Sequence, residues 1–246
     1  MSSLFILLHD AIDHAVRKAI FEQTDAKAFA LSSYADAEGS GEGQVFTQAL
    51  RRVKDTRLLR LIHQHQVDEL RHAFLLTSRR QALGLTEHVI PEKLKMIDRL
   101  SDAAGGILRA EMTTDADVAA AYTLLYVVEE RAMDEFRRAA DSLRAAGDEE
   151  TALLFEQIGR DEARHLRYCD AVARKYSADF DGELARMRTI ERAVYGAQAR
   201  DWTWHLLSNK LLTLPRFLDA VLRGMLRITE RFAIPAVAPT YHLSAA

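Results

Sequence analysis

The five-residue word Asp-Glu-x-Arg-His occurs twice in the sequence, at 68–72 and at 161–165. Within each word the glutamate and the histidine are three residues apart, so on a helix both project from one face. A carboxylate and an imidazole that converge in this way can bind a metal ion. The mixture suits iron or manganese better than zinc, which favours sulfur and nitrogen ligands in closed sites. The two words therefore predict two halves of a two-metal site, with candidate ligands Glu69, His72, Glu162 and His165.

A metal pair held by carboxylates in a helical bundle needs two further acidic ligands, one from each of two other helices. Upstream of the second word, the candidates are Glu129 and Glu130. Glu129 continues an apolar stripe that includes Leu125, whereas Glu130 aligns with Arg137 and is expected to be more exposed. We therefore favour Glu129.

Upstream of the first word, the acidic candidates are Glu38 and Glu42. Glu38 precedes the first word by nearly the same distance as Glu129 precedes the second, while Glu42 lies on the apolar stripe that begins at Phe46. Both remain candidates, and Glu38 is favoured. Three glycines accompany them: Gly39, Gly41 and Gly43. Glycine weakens a helix interior, so these residues open room beside the metals, permit a kink or allow close helix packing.

Helices must position these residues, because apolar residues recur at helical spacing along most of the chain. With only 4 Pro and 11 Gly, the composition also favours an all-α protein. Tight turns are predicted to pair helix A with helix B and helix C with helix D. The predicted elements are a leading helix at 4–22, helix A to about 54, helix B from the cap Asp55 to Gly84, a crossover at 85–114 with a short helix after Pro91, helix C at about 115–146, and helix D from the cap Asp148 to about 176.

The two words lie at the same depth in helices B and D. Asp55 and Glu69 are separated by the same number of residues as Asp148 and Glu162, which indicates a structural duplicate. Two hairpins joined by one long crossover are typical of a ferritin-like four-helix bundle. We predict this bundle, with its leading helix, over residues 1–176 (core about 25–176). Residues 177–246 would form a helical extension that packs on the bundle or forms an interface.

A histidine that binds a metal usually donates its other ring N–H to a carboxylate. Asp68 and Asp161 each precede a candidate glutamate by one residue and point to a neighbouring sector of the helix. We expect each aspartate to hold the histidine of the opposite hairpin. Arg71 and Arg164 are expected to form outward salt bridges.

Paired Glu and Glu-x-x-His residues, repeated across a crossover, resemble the ferritin-like di-iron carboxylate superfamily, which includes di-iron oxygenases and rubrerythrin-like proteins. The resemblance covers about residues 25–176. It implies a pair of iron ions, with manganese as the alternative, that reacts with dioxygen as co-substrate when reduced. In the implied ligand set, Glu69 and Glu162 bridge the metals, and the remaining ligands are Glu38, His72, Glu129 and His165.

His65 adds a second resemblance. It lies four residues before Glu69, so His65, Glu69 and His72 share one helix face. The pattern resembles the extra-histidine ligand set of arylamine N-oxygenases of the p-aminobenzoate oxygenase type. In that family the extra histidine belongs to the second hairpin, where this sequence has Ile158. His65 is therefore a candidate extra ligand, or a polar residue further along the helix.

These features predict a dioxygen-activating di-iron oxygenase, of the hydroxylase or N-oxygenase type, that acts on a small organic substrate with an external electron donor. The alternative is an iron- or peroxide-handling protein: a ferroxidase, a rubrerythrin-like peroxidase or a manganese catalase. A second alternative is a non-enzymatic partner-binding bundle. The single cysteine excludes the paired Cys-x-x-Cys motifs of a rubrerythrin electron-transfer module.

Composition limits the partners and the compartment. A net charge of −3 gives no electrostatic case for nucleic acid. One cysteine and the lack of a secretory signal pattern favour the cytoplasm. Residues 210–232 are amphipathic and carry several arginines, so they are expected to pack on the bundle or form a homodimer interface, with membrane-surface contact as a weaker alternative.

Overall fold

A computed structural model of the protein describes residues 3–40, 43–233 and 235–236. Within these ranges the chain forms helices and connecting turns without a strand, which confirms the all-α prediction. The helices are α1 (Ser3–Glu22), α2 (Thr24–Ser40), α3 (Gly43–Arg52), α4 (Thr56–Ala82), α5 (Met96–Ala103), α6 (Asp115–Ala145), α7 (Glu149–Tyr176), α8 (Phe180–Ser208) and α9 (Arg216–Phe232), and a single 3₁₀ turn (Glu92–Leu94) precedes α5.

Four of these helices form the bundle. Helix α2 packs on α4, α6 packs on α7, and α4 lies beside α7. Ion pairs at both ends show that α4 and α7 are antiparallel: Arg79 contacts Asp148 at one end, and Lys175 contacts Asp55 at the other. The segment between α4 and α6 is the single long crossover. The ferritin-like topology predicted from the sequence is therefore confirmed.

The predicted helix A is described in two parts, α2 and α3, on either side of residues 41–42. Gly41 and Glu42, the alternative metal ligand, lie outside the described residues. A Cβ atom added at Gly39 would lie 3.2 Å from the Cβ atom of Ala73, so the lack of a side chain lets α2 approach α4 closely.

Helices α4 and α7 begin directly after the predicted caps, and α4 and α6 end close to the predicted glycines. The Asp55 side chain accepts hydrogen bonds from the backbone N–H groups of residues 57 and 58, and Asp148 accepts one from Thr151. Gly84 and Gly147 have φ angles of 66° and 82°, in the left-handed region that glycine adopts at little cost. These local signals determine where each helix begins or ends along the bundle axis. They therefore also determine the level at which its candidate ligands lie.

Replacing Asp148 by alanine is expected to lower the free energy of unfolding by about 2–3 kcal/mol at neutral pH. The variant loses the helix cap and leaves Lys27 and Arg79, both largely buried, without this partner. Burial raises the pKa of Asp148, but contacts with Lys27 and Thr151 outweigh burial and hold the pKa well below its ordinary value. The carboxylate therefore stabilises the fold fully above about pH 4, and this contribution is lost as the pH falls through the folded-state pKa.

Urea unfolding of the metal-free protein at neutral pH and near pH 3 measures this difference. The gap between wild type and variant should narrow in acid. Asp55→Ala is the matched control, because it removes an exposed cap and should have a smaller effect. A gap that stays constant with pH would contradict the electrostatic explanation.

Two apolar layers flank the middle of the bundle. One contains Leu76, Phe136 and Phe155, and the other contains Ile62 and Leu166. Both words lie between these layers on α4 and α7. A band of buried carboxylates and imidazoles is therefore enclosed above and below by residues that exclude water.

The extension after the bundle is helical. Helix α8 packs along α6 and α5, and Trp202 of α8 lies with its ring 5.5 Å from Phe29 of α2. Helix α9 packs on α8 and buries Leu222 and Leu226. No helix among the described residues has both the length and the apolar character to cross a bilayer.

Candidate metal centre

Four helices contribute to one buried cluster at the middle of the bundle. Its seven members are Glu38 from α2, His65, Glu69 and His72 from α4, Glu129 from α6, and Glu162 and His165 from α7. The most exposed side chain of the cluster, Glu69, is only 11% accessible. The six ligand candidates derived from the two words and their upstream glutamates thus lie together, and His65 lies with them.

His72 is at the centre of the first group. Its Nδ1 atom lies 3.0 Å from Glu38 Oε2 and 3.1 Å from Glu162 Oε1. Glu69 Oε1 is 3.8 Å from the same atom. Ligand atoms that bind one ion at about 2.0–2.2 Å and at right angles are roughly 3 Å apart, so these separations suit a shared ion.

His165 and His65 form the second group. His165 Nδ1 lies 2.9 Å from Glu162 Oε2, and His65 Nε2 lies 3.1 Å from Glu129 Oε1. The two imidazole rings stack with centroids 3.6 Å apart. Glu162 belongs to both groups. Glu69 also reaches the second group, since its Oε1 atom is 3.2 Å from His65 Nε2 and 3.4 Å from His165 Nδ1.

The protonation of the cluster follows from burial and from the close pairs. Burial raises the pKa of Glu38, whereas His165 and His72 hold the pKa of Glu162 well below its usual value against the effect of burial. Burial by itself would lower the pKa of His72, but contacts with Glu162 and Glu38 raise it to about 10. Burial and His165 keep the pKa of His65 well below its ordinary value, so its ring is neutral.

The donor set fits a pair of divalent cations. Four carboxylates in a buried space repel one another, and each loses hydration that a partner must replace. Two divalent ions would balance the four negative charges of Glu38, Glu69, Glu129 and Glu162, leaving the three imidazoles neutral. Oxygen and nitrogen donors without thiolate match the preferences of iron and manganese.

Asp68 and Asp161, the aspartates of the two words, lie on the outer side of the histidines. Each approaches a histidine of the opposite hairpin. Asp161 Oδ2 is 3.2 Å from His72 Nε2, and Asp68 Oδ2 is 3.4 Å from His165 Nε2. Arg71 and Arg164 each contact both aspartates, so the expected salt bridges are present. Burial raises the pKa of Asp161, but Arg71 and Arg164 outweigh it and lower the pKa to about 2. Each histidine is therefore held by an ionised carboxylate of the other hairpin.

Replacing both aspartates by asparagine is expected to weaken metal binding about 10- to 100-fold, because the imidazoles lose the groups that orient them and raise their basicity. Competition with a chelator measures the affinity. Asp170→Asn is the matched control, since Asp170 lies on α7 but pairs with Arg174. Equal affinities for the double variant and the control would contradict this prediction.

Two neighbours of the cluster differ from the expectation. Glu130 is buried, contrary to prediction, because Arg188 of α8 covers it with contacts of 2.6 and 3.0 Å. It therefore points away from the cluster. The hydroxyl of Tyr168 contacts His65 Nδ1, an interaction beyond those expected of the candidate ligands. Tyr168 lies three residues after His165, so helical spacing in the sequence already indicated that the two side chains share one face.

A cavity of about 280 Å³ adjoins the cluster on the carboxylate side. Glu38, Glu69, Glu129 and Glu162 all reach its wall. The rest of the wall comes mostly from apolar residues, contributed by α1, α2, α6, α8 and the segment around α5, including Ile20, Phe21, Ile90, Leu94, Met96 and Phe136. This shape suits a small organic molecule held beside the metal centre.

One part of the cavity wall is polar and was not expected from the sequence. Arg17 of α1 donates to Glu135 of α6 at 2.8 and 3.2 Å, and Glu135 also accepts a hydrogen bond from Tyr195 of α8. Burial raises the pKa of Glu135, but Arg17 outweighs burial and lowers it, so the carboxylate is ionised. These residues are separated widely in sequence, and no motif marks them.

The bundle topology and the buried carboxylate–histidine cluster define a ferritin-like di-metal carboxylate protein. Residues 21–179, more than half of the chain, match the family model described as methane/phenol/alkene hydroxylase, and the chain belongs to this family. Its members are oxygenase enzymes, so this protein is an enzyme of the di-iron oxygenase type. Comparisons with curated proteins and with solved structures found no match.

Proposed function

We propose that the protein hydroxylates a small organic substrate with dioxygen at an iron pair held by the buried cluster. The observation that carries the proposal is the position of the cavity, whose wall includes all four carboxylates of that cluster. A bound iron pair supplies the two electrons that reduce dioxygen, and an external donor returns them. An organic molecule in the cavity would lie directly beside this chemistry.

The protein residues would have distinct tasks. Glu162 and Glu69 lie near donors of both groups and would bridge the two ions. The remaining proposed ligands are Glu38, His72, Glu129 and His165, with His65 as an extra ligand to the second ion. Asp68 and Asp161 fix the orientation of the two histidines. The apolar wall excludes water and holds the substrate close to the carboxylates.

The two metal positions would be unlike. The first group has three carboxylates and one histidine, and the second has two of each. The difference arises because His65 occupies the position on α4 that Ile158 occupies on α7, where it is buried in the core. The additional imidazole would give the second ion one more neutral donor than the first.

His65 supports a second candidate reaction, the oxygenation of an arylamine. The sequence pattern around it resembles that of arylamine N-oxygenases, and the structure places its ring beside Glu129 and His165. The ion pair of Arg17 and Glu135 on the cavity wall offers hydrogen-bonding partners to a polar substituent of such a substrate.

Anaerobic loading with ferrous iron, followed by a metal count and a pulse of dioxygen, tests the proposal. We expect about two irons per chain and oxygen consumption coupled to product from one of three probes: phenol, cyclohexene or p-aminobenzoate. Product from p-aminobenzoate only would favour N-oxygenation. Mineral formation from many irons per chain, or peroxide disproportionation by the manganese-loaded protein without organic product, would refute the proposal.

A further inference from the structure

Tyr168 of α7 contacts the third histidine of the cluster, His65, on the edge of its ring opposite the carboxyl groups. The tyrosine hydroxyl forms a hydrogen bond with His65 Nδ1. The other ring nitrogen, His65 Nε2, lies 3.1 Å from Glu129 Oε1 and 3.2 Å from Glu69 Oε1. Both the histidine and the tyrosine are buried. The two nitrogens of this ring therefore have different neighbours, a phenol hydroxyl on one side and carboxyl groups on the other.

The ring of His65 is turned in the opposite sense to the rings of the other two histidines. His72 and His165 present Nδ1 to the cluster and Nε2 to an aspartate of the other hairpin. His65 instead presents Nε2 to the cluster and Nδ1 to Tyr168. Its outer partner also differs in kind, because a hydroxyl takes the place of a carboxylate.

Neither member of this pair has a polar counterpart in the other hairpin. The alignment of the two words places Ile158 of α7 opposite His65 of α4 in the repeat, and Leu75 of α4 opposite Tyr168 of α7. Both counterparts are aliphatic, whereas the histidine and the tyrosine contact each other between the two helices. The asymmetry of the cluster thus comes from two residues that act as one unit.

The outer partner of a histidine determines which ring nitrogen carries the proton. An ionised carboxylate only accepts hydrogen bonds, so an aspartate beside Nε2 keeps a proton there and leaves the lone pair of Nδ1 for an ion. A hydroxyl can either donate or accept. The contact between Tyr168 and His65 Nδ1 therefore persists in both neutral forms of the ring, whichever nitrogen is protonated.

We propose that Tyr168 is the positioning residue of His65 and lets its neutral ring change from one form to the other when an ion binds. Without an ion, the electron-rich oxygens of Glu69 and Glu129 favour a proton on Nε2, and the tyrosine donates to Nδ1. With an ion, the Nε2 lone pair faces the metal, and Nδ1 donates to the tyrosine oxygen. One proton moves from Nε2 to Nδ1, so the ring stays neutral and releases none.

The inference rests on the proposed function, because it gives a residue a task at the metal pair. It also distinguishes the two metal positions, since His65 belongs to the second group and not to the first. A neutral hydroxyl raises the basicity of an imidazole less than an ionised carboxylate does. His65 would therefore be a weaker ligand than His72 or His165, and loss of the Tyr168 hydroxyl should affect the second ion alone.

Anaerobic calorimetric titration of the full chain with ferrous ions tests this dependence. We expect Tyr168→Phe to weaken the binding of one ion about 10- to 100-fold, as removal of an outer partner of a ligand does, and to change the affinity for the other by less than about threefold. The stacked ring of His165 keeps His65 in place in this variant. Tyr126→Phe is the matched control and should bind like wild type, because it removes the hydroxyl of another buried tyrosine, whose ring packs against Phe180.

Two further measurements distinguish positioning from a general effect on the fold. Because Tyr168 acts through His65, Tyr168→Phe should cause no further loss of affinity in a His65→Ala background. Nitrogen-15 NMR of the His65 ring locates its proton directly, and we expect it on Nε2 in the metal-free wild type and on Nδ1 after loading with zinc. Unchanged binding in Tyr168→Phe, an equal loss of both ions, or a proton that stays on one nitrogen after zinc loading would overturn the inference.

The NMR measurement also separates this inference from the proposed function. A wild-type chain that binds no pair of ions would count against the proposed function. A metal-free ring protonated on Nδ1 would overturn the task assigned to Tyr168 even if two ions bind and turnover is normal. The wild-type spectra decide the question also if circular dichroism shows that Tyr168→Phe does not fold.

Discussion

Replacing Glu162 by glutamine is expected to eliminate tight binding of both metal ions, with a fall in affinity greater than the roughly 10- to 100-fold loss caused by removing an outer partner of a ligand. Glu162 is common to both groups of the cluster, and its two oxygens lie 3.1 Å from His72 Nδ1 and 2.9 Å from His165 Nδ1. The amide keeps the volume of the side chain but removes its negative charge. The metal content should fall well below two per chain, and turnover should fall with it.

Glu130→Gln is the control for this experiment. Glu130 is also a buried glutamate of the bundle, but it pairs with Arg188 and faces away from the cluster. Its substitution should lower the stability of the fold while the metal content stays at the wild-type value. Metal analysis after gel filtration, together with circular dichroism to confirm folding, distinguishes the two outcomes. Full metal content in Glu162→Gln would show that the cluster is not a metal centre.

Replacing Ala132 by phenylalanine is expected to lower kcat/KM at least about a hundredfold without loss of metal. Ala132 lies on the cavity wall, one helical turn beyond Glu129. A cavity of about 150 Å³ is enough to hold benzene. A phenyl ring would therefore fill a large part of the 280 Å³ beside the carboxylates. The substrate would be displaced from the metal centre, and a displacement of about 1 Å already reduces rates strongly.

The measurement compares coupled product formation, total oxygen consumption and iron content. In Ala132→Phe the iron content should stay near two, and any oxygen consumed should no longer be coupled to product. Ala145→Phe, at the exposed C-terminal end of α6, is the matched control and should behave like wild type. Normal coupled turnover in Ala132→Phe would show that the substrate binds elsewhere.

The two substitutions address separate requirements of the site. Glu162→Gln changes the charge that holds the ions, whereas Ala132→Phe changes only the space beside them. Loss of metal in Glu162→Gln and retention of metal in Ala132→Phe would show that metal binding depends on the cluster and not on the shape of the cavity. This separation is expected because the ligands sit between two apolar layers, while α1 and α8 close the cavity from outside the bundle.

The sequence by itself determined the architecture. Equal spacing from Asp55 and Asp148 to the two words placed them at one level, and the caps and left-handed glycines seen in the structure preserve that level. Helical periodicity also put the glutamate and the histidine of each word on one face of their helix. These inferences succeeded because hydrogen bonding at helix ends and the 3.6-residue repeat are local, so nearby residues are sufficient to establish them.

The tertiary structure alone decided which surfaces meet. It brought His65 into the cluster rather than leaving it as a polar residue further along the helix. It buried Glu130 against Arg188, and it placed Arg17 with Glu135 on the cavity wall. Periodicity gives the face of a helix from which a residue projects, but not the neighbour that covers that face. That neighbour depends on contacts between residues far apart in the chain, and no local pattern records them.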